Sequence, residues 1–428
     1  MIFIPLLNYS IENTTLFLYF LFMINELTAQ AFFNLITNLS NEGLTDSAIS
    51  ADSDLNPDKW RETFSQAPQK LLDVHNKVWS EKPELLEDVI KLDPKYVVGL
   101  IEAEGCFSVF LGTSGKQTEK SFKIFEEFTL ALDPIDAQIV KSLRAFFGVG
   151  VIKYRKDAIV YTVDSSWQLN YAIVPFLEQH SLVGLKRRDF LILKEVVYLK
   201  TETTLIRSPK TRNQVKYWIA RYVYMFAEEI AQTRERTHSL EQIRQTLRVN
   251  DTGLPIEFFS NVILWLFLCS LTKHVKPSPW YVTGFCEGDG GSVTSVLPNK
   301  RVNTYNIGAL QKGILEMIKA YFVGCGTIYY IDLTNQNENA KEHWRLLINR
   351  REELRFVHET HFKSFPLLGE QNKKKHYDCL ISLLDAVERG DHLDRSKREK
   401  LASMCYGINL GGKRRKTMLE PLDLDDNN

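Results

Sequence analysis

The sequence predicts an α+β fold made of two pseudo-symmetric units, each reading αββαββα. Two observations carry this. The nonapeptide VVGLIEAEG (Val97 to Gly105) has a counterpart in VTGFCEGDG (Val282 to Gly290), and its last acid, Glu104, lies 185 residues before Asp289 (289 − 104). The landmarks that follow each nonapeptide also recur in the same order. FFGVGVIKY (Phe146 to Tyr154) matches YFVGCGTIYY (Tyr321 to Tyr330), and HSLVGLK (His180 to Lys186) matches FPLLGEQ (Phe365 to Gln371), with Leu182 and Leu367 again 185 apart.

The elements of the first unit follow from local pattern. The apolar nonapeptide reads as a helix that ends at Gly105. CFSVFL and SFKIFEEFTLAL read as strands; in the second, Phe122, Ile124, Phe128, Leu130 and Leu132 share one face, and Lys123, Phe125, Glu127 and Thr129 the other. Pro134 opens a helix over IDAQIVKSLRAFFG. VIKYR and AIVYTVD make a hairpin, and helices follow around YAIVPFLEQ and RRDFLILKEVV. The second unit repeats this order through SVTSVL, VNTYNIGAL, KGILEMIKAYF, GTIYYIDL, WRLLINR and helices near ELRFVHETHF and HYDCLISLLDAV.

The chain divides accordingly into an acidic, partly helical extension (1–92), a first repeat (93–200), a basic helical linker (201–278), a second repeat (279–416) and an acidic tail (417–428). The helical pattern of the extension centres on KLLDVHNKVW (Lys70 to Trp79). The apolar runs LFLYFLFM (Leu16 to Met23) and FFSNVILWLFLCSL (Phe258 to Leu271) are too short to span a bilayer. The first lacks the basic flank of a secretory signal and the Arg-rich make-up of a transit peptide. The second reads as a buried helix. Six cysteines without a CxxC pair are read as small buried hydrophobes, neither a disulfide framework nor a zinc site.

Formal net charge is zero over 428 residues, but its distribution is uneven. Residues 1–95 carry 7 Lys/Arg against 14 Asp/Glu, and 417–428 carry no base and 4 acids, which leaves 46 bases (53 − 7) against 35 acids (53 − 14 − 4) in 96–416. The part that holds the motifs is therefore the basic part, as a polyanionic partner would require.

Each motif helix carries small residues four apart, Gly99 and Ala103 in one and Gly284 and Gly288 in the other. Small residues on one face let two helix backbones approach, so the two helices are expected to pack together between the repeats. Their terminal acids then converge where both helix dipoles are negative. Two carboxylates in that position repel one another unless divalent cations bind, and an all-oxygen set with room for water and phosphate suits Mg²⁺. Cations so held can activate water against a phosphodiester.

The paired nonapeptides, their spacing and the αββαββα repeats resemble the LAGLIDADG homing endonucleases in their single-chain, double-motif, organellar intron-encoded form. The resemblance covers roughly residues 93–416, and the tail YGINLGGKRRK (Tyr406 to Lys416) is similar to how organellar members end. It implies a saddle of two antiparallel sheets with the motif helices at the repeat interface. It implies Glu104 and Asp289 as catalytic acids sharing two or more Mg²⁺ ions, with Glu102 and Glu287 as structural residues. It also implies a catalytic lysine, Lys186, in the first half. The second half has Gln371 at that position with Lys373, Lys374 and Lys375 just beyond, and which of them substitutes is open.

On the same resemblance the outward sheet faces read bases in the major groove of a long double-stranded DNA site. Alternation selects Ser108, Lys123, Glu127, Thr129, Lys153 and Arg155 in the first sheet, and Arg301, Asn303, Thr304 and Asn306 in the second. The expectation is a monomeric, Mg²⁺-dependent, site-specific endonuclease that leaves 5′-phosphate and 3′-hydroxyl ends, with no membrane partner and a mitochondrial rather than chloroplast home. Two alternatives stay open on the sequence: a maturase that binds its own group I intron RNA, and a degenerate copy that binds DNA without cutting. The histidines, including His238, His274 and His376, show no ligand spacing, and there is no Walker loop.

Overall fold

The computed structural model describes residues 89–114, 121–203, 206, 208–226, 239–249, 276–297, 300–331, 343–370 and 372–408. The acidic extension, the apolar runs at Leu16–Met23 and Phe258–Leu271, Gln371 and the KRRK run (Lys413 to Lys416) lie outside the described residues.

The first motif forms helix α1 (Pro94–Glu104), and its boundaries follow from the sequence. Asp93 caps it by accepting the Lys95 N–H at 2.7 Å, and Pro94 sits where a missing N–H costs nothing. The second motif forms α7 (Pro279–Asp289), capped by Ser278, which accepts the Tyr281 N–H at 3.1 Å. Each helix runs straight into a strand, at Gly105 and at Gly290.

In the first repeat, α1 is followed by β1 (Gly105–Ser114), β2 (Ser121–Leu132), α2 (Ala137–Phe147), β3 (Val151–Tyr154), β4 (Ile159–Val163), the helical turns Ser166–Gln168, Leu169–Ile173 and Val174–Gln179 (together α3), and α4 (Lys186–Thr203). The linker contributes α5 (Pro209–Phe226) and α6 (Leu240–Leu247). The second repeat continues from α7 with β5 (Gly290–Leu297), β6 (Lys300–Ala309), α8 (Lys312–Tyr321), β7 (Thr327–Ile331) and β8 (His343–Ile348). It ends with α9 (Arg351–Val357, prolonged by a π turn over His358–Phe362), α10 (Lys373–Glu388) and α11 (Arg395–Ile408).

The strands form two antiparallel four-stranded sheets of the same topology, β1-β2-β4-β3 and β5-β6-β8-β7. The α+β class and the doubled αββαββα order are thus as the sequence predicts. The symmetry reaches the register: Phe128 pairs with Val163 in one sheet, and Tyr305 pairs with Ile348, 185 residues beyond Val163, in the other.

One face of each sheet is core. Phe107, Phe128, Leu130, Tyr161 and Val163 are buried in the first, and Tyr305, Ile307, Leu346 and Ile348 in the second. Glu126 shares the core face of β2 with Ile124 and Phe128, a polar residue where the periodicity asks for an apolar one. It is buried, and it survives there because Lys200 of α4 and the Ser166 hydroxyl both donate to its carboxylate. Linker helix α5 buries Val215, Tyr217, Trp218, Ile219, Tyr222 and Val223 and packs against α4 and β1, so it extends the first repeat's core. Among the described residues, no helix is long and apolar enough to cross a membrane.

Candidate active site

Helices α1 and α7 lie backbone to backbone between the repeats. A Cβ placed on Gly99 would stand 2.0 Å from the Tyr281 carbonyl oxygen, and one on Gly284 would stand 2.0 Å from the Tyr96 carbonyl oxygen. Tyr96 and Tyr281 are themselves 185 residues apart (281 − 96), so the contact obeys the internal twofold relation. One turn further on, a Cβ on Gly288 would meet the Ala103 Cβ at 2.4 Å and Glu104 Cγ at 2.8 Å. All four small residues therefore sit at the closest approach of the pair.

This approach brings Glu104 and Asp289, the last residues of the two helices, to one end of the interface, both half-buried. The Asp289 carboxyl is pushed up to about 7, first by burial and then by the Glu104 charge, while Lys186 and Lys373 pull it down. Acids at helix C-termini face the negative ends of both dipoles as well. Such a pair calls for positive charge from outside the helices.

Part of that charge comes from lysines. Lys186 opens α4 and is half-buried; its Nζ donates to the Ala103 and Ile101 carbonyls, the latter at 3.4 Å. Both carbonyls belong to the last turn of α1; that of Ile101 also accepts the Gly105 N–H that closes the helix. Burial lowers the Lys186 pKa, opposed by the charges of Glu102, Asp289 and Glu104. In the second repeat Lys373 opens α10 and does the same work: its Nζ donates to the Gly288 carbonyl at 2.9 Å and to the Gly290 carbonyl. Ala103 and Gly288 are equivalent positions, so the two lysines share one equivalent carbonyl, while their second acceptors, Ile101 and Gly290, differ. Lys373 stands two residues beyond the position that the 185-residue offset assigns to Lys186 (186 + 185 = 371).

Glu102 and Glu287, the other acids of the nonapeptides, point away from this site. Glu102 is buried and accepts the N–H groups of Val183 at 2.8 Å and Gly184 at 3.1 Å. Glu287 is buried and accepts those of Leu368 at 2.6 Å and Gly369 at 3.2 Å. Each acid pins the loop that leads into its own repeat's lysine. Burial raises both carboxyls; in Glu287 the Asp136 charge adds to it and the value reaches about 7.

The donor set fits a hard divalent cation in one specific sense. Two carboxylates converge there beside Lys186 and Lys373, and among the described residues no group of three or more His, Cys, Asp or Glu is placed to hold a metal ion. Any further ligands of such a cation would be water or substrate oxygens.

The first-sheet candidates share one face. Strand pairing sets Ser108 opposite Glu127, Thr129 beside Thr162, and Lys153 opposite Val160, all with the parity opposite to the core row. Lys123 is exposed, with its Nζ 5.1 Å from the Phe125 ring centroid, and Arg155 lies exposed in the β3–β4 turn. Lys153 is 3.9 Å from Asp164. The second sheet corrects the sequence reading. Thr304 and Asn306 have the outward parity, joined by a hydrogen bond from Asn306 Nδ2 to Thr304 Oγ1 at 3.2 Å, but Thr304 is buried and serves Asn306 rather than an outside partner. Asn303 lies on the opposite, core-side face with Tyr305, and its Oδ1 is buried. Strand alternation forbids both members of an adjacent pair from reading one groove. Arg301 has the parity of Asn303 in the register, opposite Val296; its side chain lies outside the described residues. The structure adds Arg345 and Tyr329, directly paired on the outward face of β8 and β7. A period-two reading of WRLLINR from Arg345 would have found the first.

Residues 97–197 match the model of the LAGLIDADG endonuclease family. An uncharacterized 50.9 kDa protein in ND4 intron 1 of Podospora anserina is 32% identical over 114 residues, 25% of this chain and 24% of that protein. Probable intron-encoded endonuclease 3 of Neurospora crassa is 26% identical over 113 residues, 26% of this chain and 21% of that protein. The chain thus matches about a quarter of the length of these curated relatives. Among solved structures, the LAGLIDADG homing endonuclease I-GzeII in complex with its DNA target superposes with a TM-score of 0.57 at 17% identity, covering 74% of this chain and 99% of that one. I-SmaMI bound to uncleaved DNA gives 0.54 at 21%, again over 74% and 99%. The resemblance read from the two nonapeptides therefore extends to a family match over the first repeat and a shared fold over both.

Proposed function

We propose that the protein is a site-specific double-strand DNA endonuclease that uses Glu104 and Asp289 to hold divalent metal at the scissile phosphates. The observation that carries this reading is the convergence of these two half-buried acids, one from each repeat, between Lys186 and Lys373. Relatives solved with DNA targets, and a relative named as an intron-encoded endonuclease, support the substrate class.

Bound divalent metal supplies activation of the attacking water and charge stabilisation at the leaving oxygen. The chain's own residues do the rest. Glu104 and Asp289 place two acids at the helix junction, beside Lys186 and Lys373. Lys186 and Lys373, anchored on helix-end carbonyls, hold one positive charge on each side of that junction. There they offset the negative charge that develops on the phosphate during displacement. Water adds to phosphorus as the bond to the 3′-oxygen breaks, which leaves 5′-phosphate and 3′-hydroxyl ends. The outward faces of the two sheets supply the base contacts, with Ser108, Lys123, Glu127, Thr129, Lys153, Asn306 and Arg345 as readers. The metal is Mg²⁺ in this reading, the protein acts as a monomer because both acids come from one chain, and its origin is an intron of a fungal mitochondrial gene, as with the ND4 intron relative.

The test is cleavage of a randomised duplex library with Mg²⁺ and with EDTA, followed by sequencing of cut ends. Metal-dependent double-strand breaks at one recoverable site are expected. Intact DNA throughout, from folded protein that accelerates splicing of its own intron RNA, would replace this reading with the maturase one.

A further inference from the structure

Each lysine is held from two directions, and one of them crosses between the repeats. Asp136 precedes α2 in the first repeat, yet its Oδ2 accepts from Asn372 Nδ2 of the second repeat at 2.8 Å. Asn372 is the residue before Lys373. Gln311 precedes α8 in the second repeat, and its Oε1 accepts the N–H of Leu185 in the first repeat at 2.7 Å. Leu185 is the residue before Lys186. The reciprocity extends to the loop glycines. A Cβ on Gly369 would meet Glu287 Oε1 at 2.8 Å and Asp136 Oδ1 at 3.0 Å; one on Gly184 would meet Glu102 Oε1 at 2.5 Å and Gln311 Oε1 at 2.7 Å. An acid from the repeat's own motif helix and a polar cap from the opposite repeat thus close on the same glycine, just ahead of the lysine.

We infer that Asp136 and Gln311 are positioning residues, each setting the lysine of the opposite repeat. This rests on the endonuclease reading above. Asp136 is 5% exposed, so its contact with Asn372 is made away from water, and no solvent-screened surface pair is involved. The arrangement has a mechanical consequence: neither lysine can be aligned unless the other repeat is docked, so competence for the two strands is tied to assembly of the whole interface. A purely adhesive role would instead lower stability and slow both strands together.

The experiment uses the full-length protein, a supercoiled plasmid carrying the site recovered from the randomised library, and end-labelled duplexes that report each strand. Lys373→Met and Lys186→Met first identify the strand that each lysine serves. Asp136→Ala and Asn372→Ala are then expected to slow the Lys373 strand 10- to 100-fold, the scale of an ångström-sized misplacement at a reacting centre, and to accumulate nicked circles. Gln311→Ala slows the Lys186 strand. Asp136→Asn, which keeps an acceptor for Asn372, restores double-strand cutting, and affinity for DNA in Ca²⁺ is unchanged throughout. If Asp136→Ala fails to fold, Asn372→Ala and Gln311→Ala carry the test. Equal slowing of both strands, or full-speed cutting by Asn372→Ala and Gln311→Ala, overturns the inference while leaving the endonuclease reading intact. A wild type that cuts no site removes both.

Discussion

Gly99 rests on the backbone of Tyr281, with 2.0 Å between the position of a Cβ and that residue's carbonyl oxygen. The neighbour is helix backbone in the buried centre of the molecule, so it cannot swing aside as a side chain would. Gly99→Ala and Gly284→Ala must therefore separate α1 from α7. Each is expected to cost at least about 3 kcal/mol, the upper part of the range for overpacked cores. Gly291→Ala is the control, because nothing lies within 4 Å of its would-be Cβ. Urea unfolding of the three variants decides the matter: a Gly99→Ala midpoint equal to that of Gly291→Ala would show that the helices can part freely.

The same contact fixes the acids. Replacing one carboxylate with its amide removes the charge but keeps the shape, so the helix pair and the sheets should be undisturbed. Glu104→Gln and Asp289→Asn are each expected to reduce cleavage of both strands by about a thousandfold, corresponding to ~4 kcal/mol of lost charge stabilisation. Binding to the recovered DNA site in Ca²⁺ should stay within about threefold of wild type. Because Asp289 is raised to about 7, its amide also lifts acid–acid repulsion, and the variant should unfold no earlier than wild type at pH 8. Cutting at wild-type rate by either variant would remove that acid from the site.

A buried histidine that packs on α7 makes stability depend on pH in its own right. His361 is 1% exposed, its Nε2 3.2 Å from Thr283 Oγ1 and its Nδ1 3.0 Å from the Tyr321 hydroxyl. Thr283 donates to the Phe365 carbonyl at 2.8 Å, so it accepts from His361 Nε2–H, and Tyr321 donates to Nδ1. The neutral ring is fully satisfied, and burial lowers its pKa from 6.5 to about 4. A depressed pKa gives stability that is complete above about 6.5 and is lost as the pH falls towards about 4, about 3 kcal/mol in all. Glu287, raised to about 7, works in the opposite direction over part of that window, so the difference between proteins is the useful quantity. His361→Gln should flatten the wild-type acid slope by close to one proton between pH 6.5 and 4. Parallel curves would mean that the imidazole is charged in the fold.

What the sequence made legible was whatever it repeats locally. The nonapeptides announce two apolar helices with small residues on one face and an acid at each end, and those properties depend only on helical period. The cross-repeat contacts of Asp136 and Gln311 had no such signal, because each partner lies more than a hundred residues away and the two caps are different residue types. Lys373 was obscured by two residues that shift the second lysine off the 185-residue offset; its recognition needs the start of α10, a feature of packing. The second sheet misled for a different reason. Polar residues occur at 303, 304 and 306, so composition does not reveal which parity faces the core; Tyr305 and Ile307 settle it once the sheet is seen. Glu126 is the converse case, an acid whose core position is legible only beside Lys200.

The face assignment in β6 yields the last expectation. Asn306 Nδ2 donates one hydrogen to Thr304, which fixes the amide plane and leaves its carbonyl and second N–H for an outside partner. An amide so held suits the acceptor–donor pair on the major-groove edge of adenine. Asn306→Ala should relax base preference at one position of the recovered site, losing about 1–3 kcal/mol of discrimination there and little elsewhere. Arg345→Ala should do likewise at a neighbouring position, with guanine the favoured partner of a bidentate guanidinium. Asn303→Ala, facing Thr294 and the core side, should leave the whole preference profile unchanged. Profiling all single-base variants of the site with the three proteins separates the cases. A changed profile for Asn303→Ala with an unchanged one for Asn306→Ala would mean that DNA meets the other face of the sheet, and the parity drawn from the Tyr305–Ile348 register would then fail as a guide to recognition.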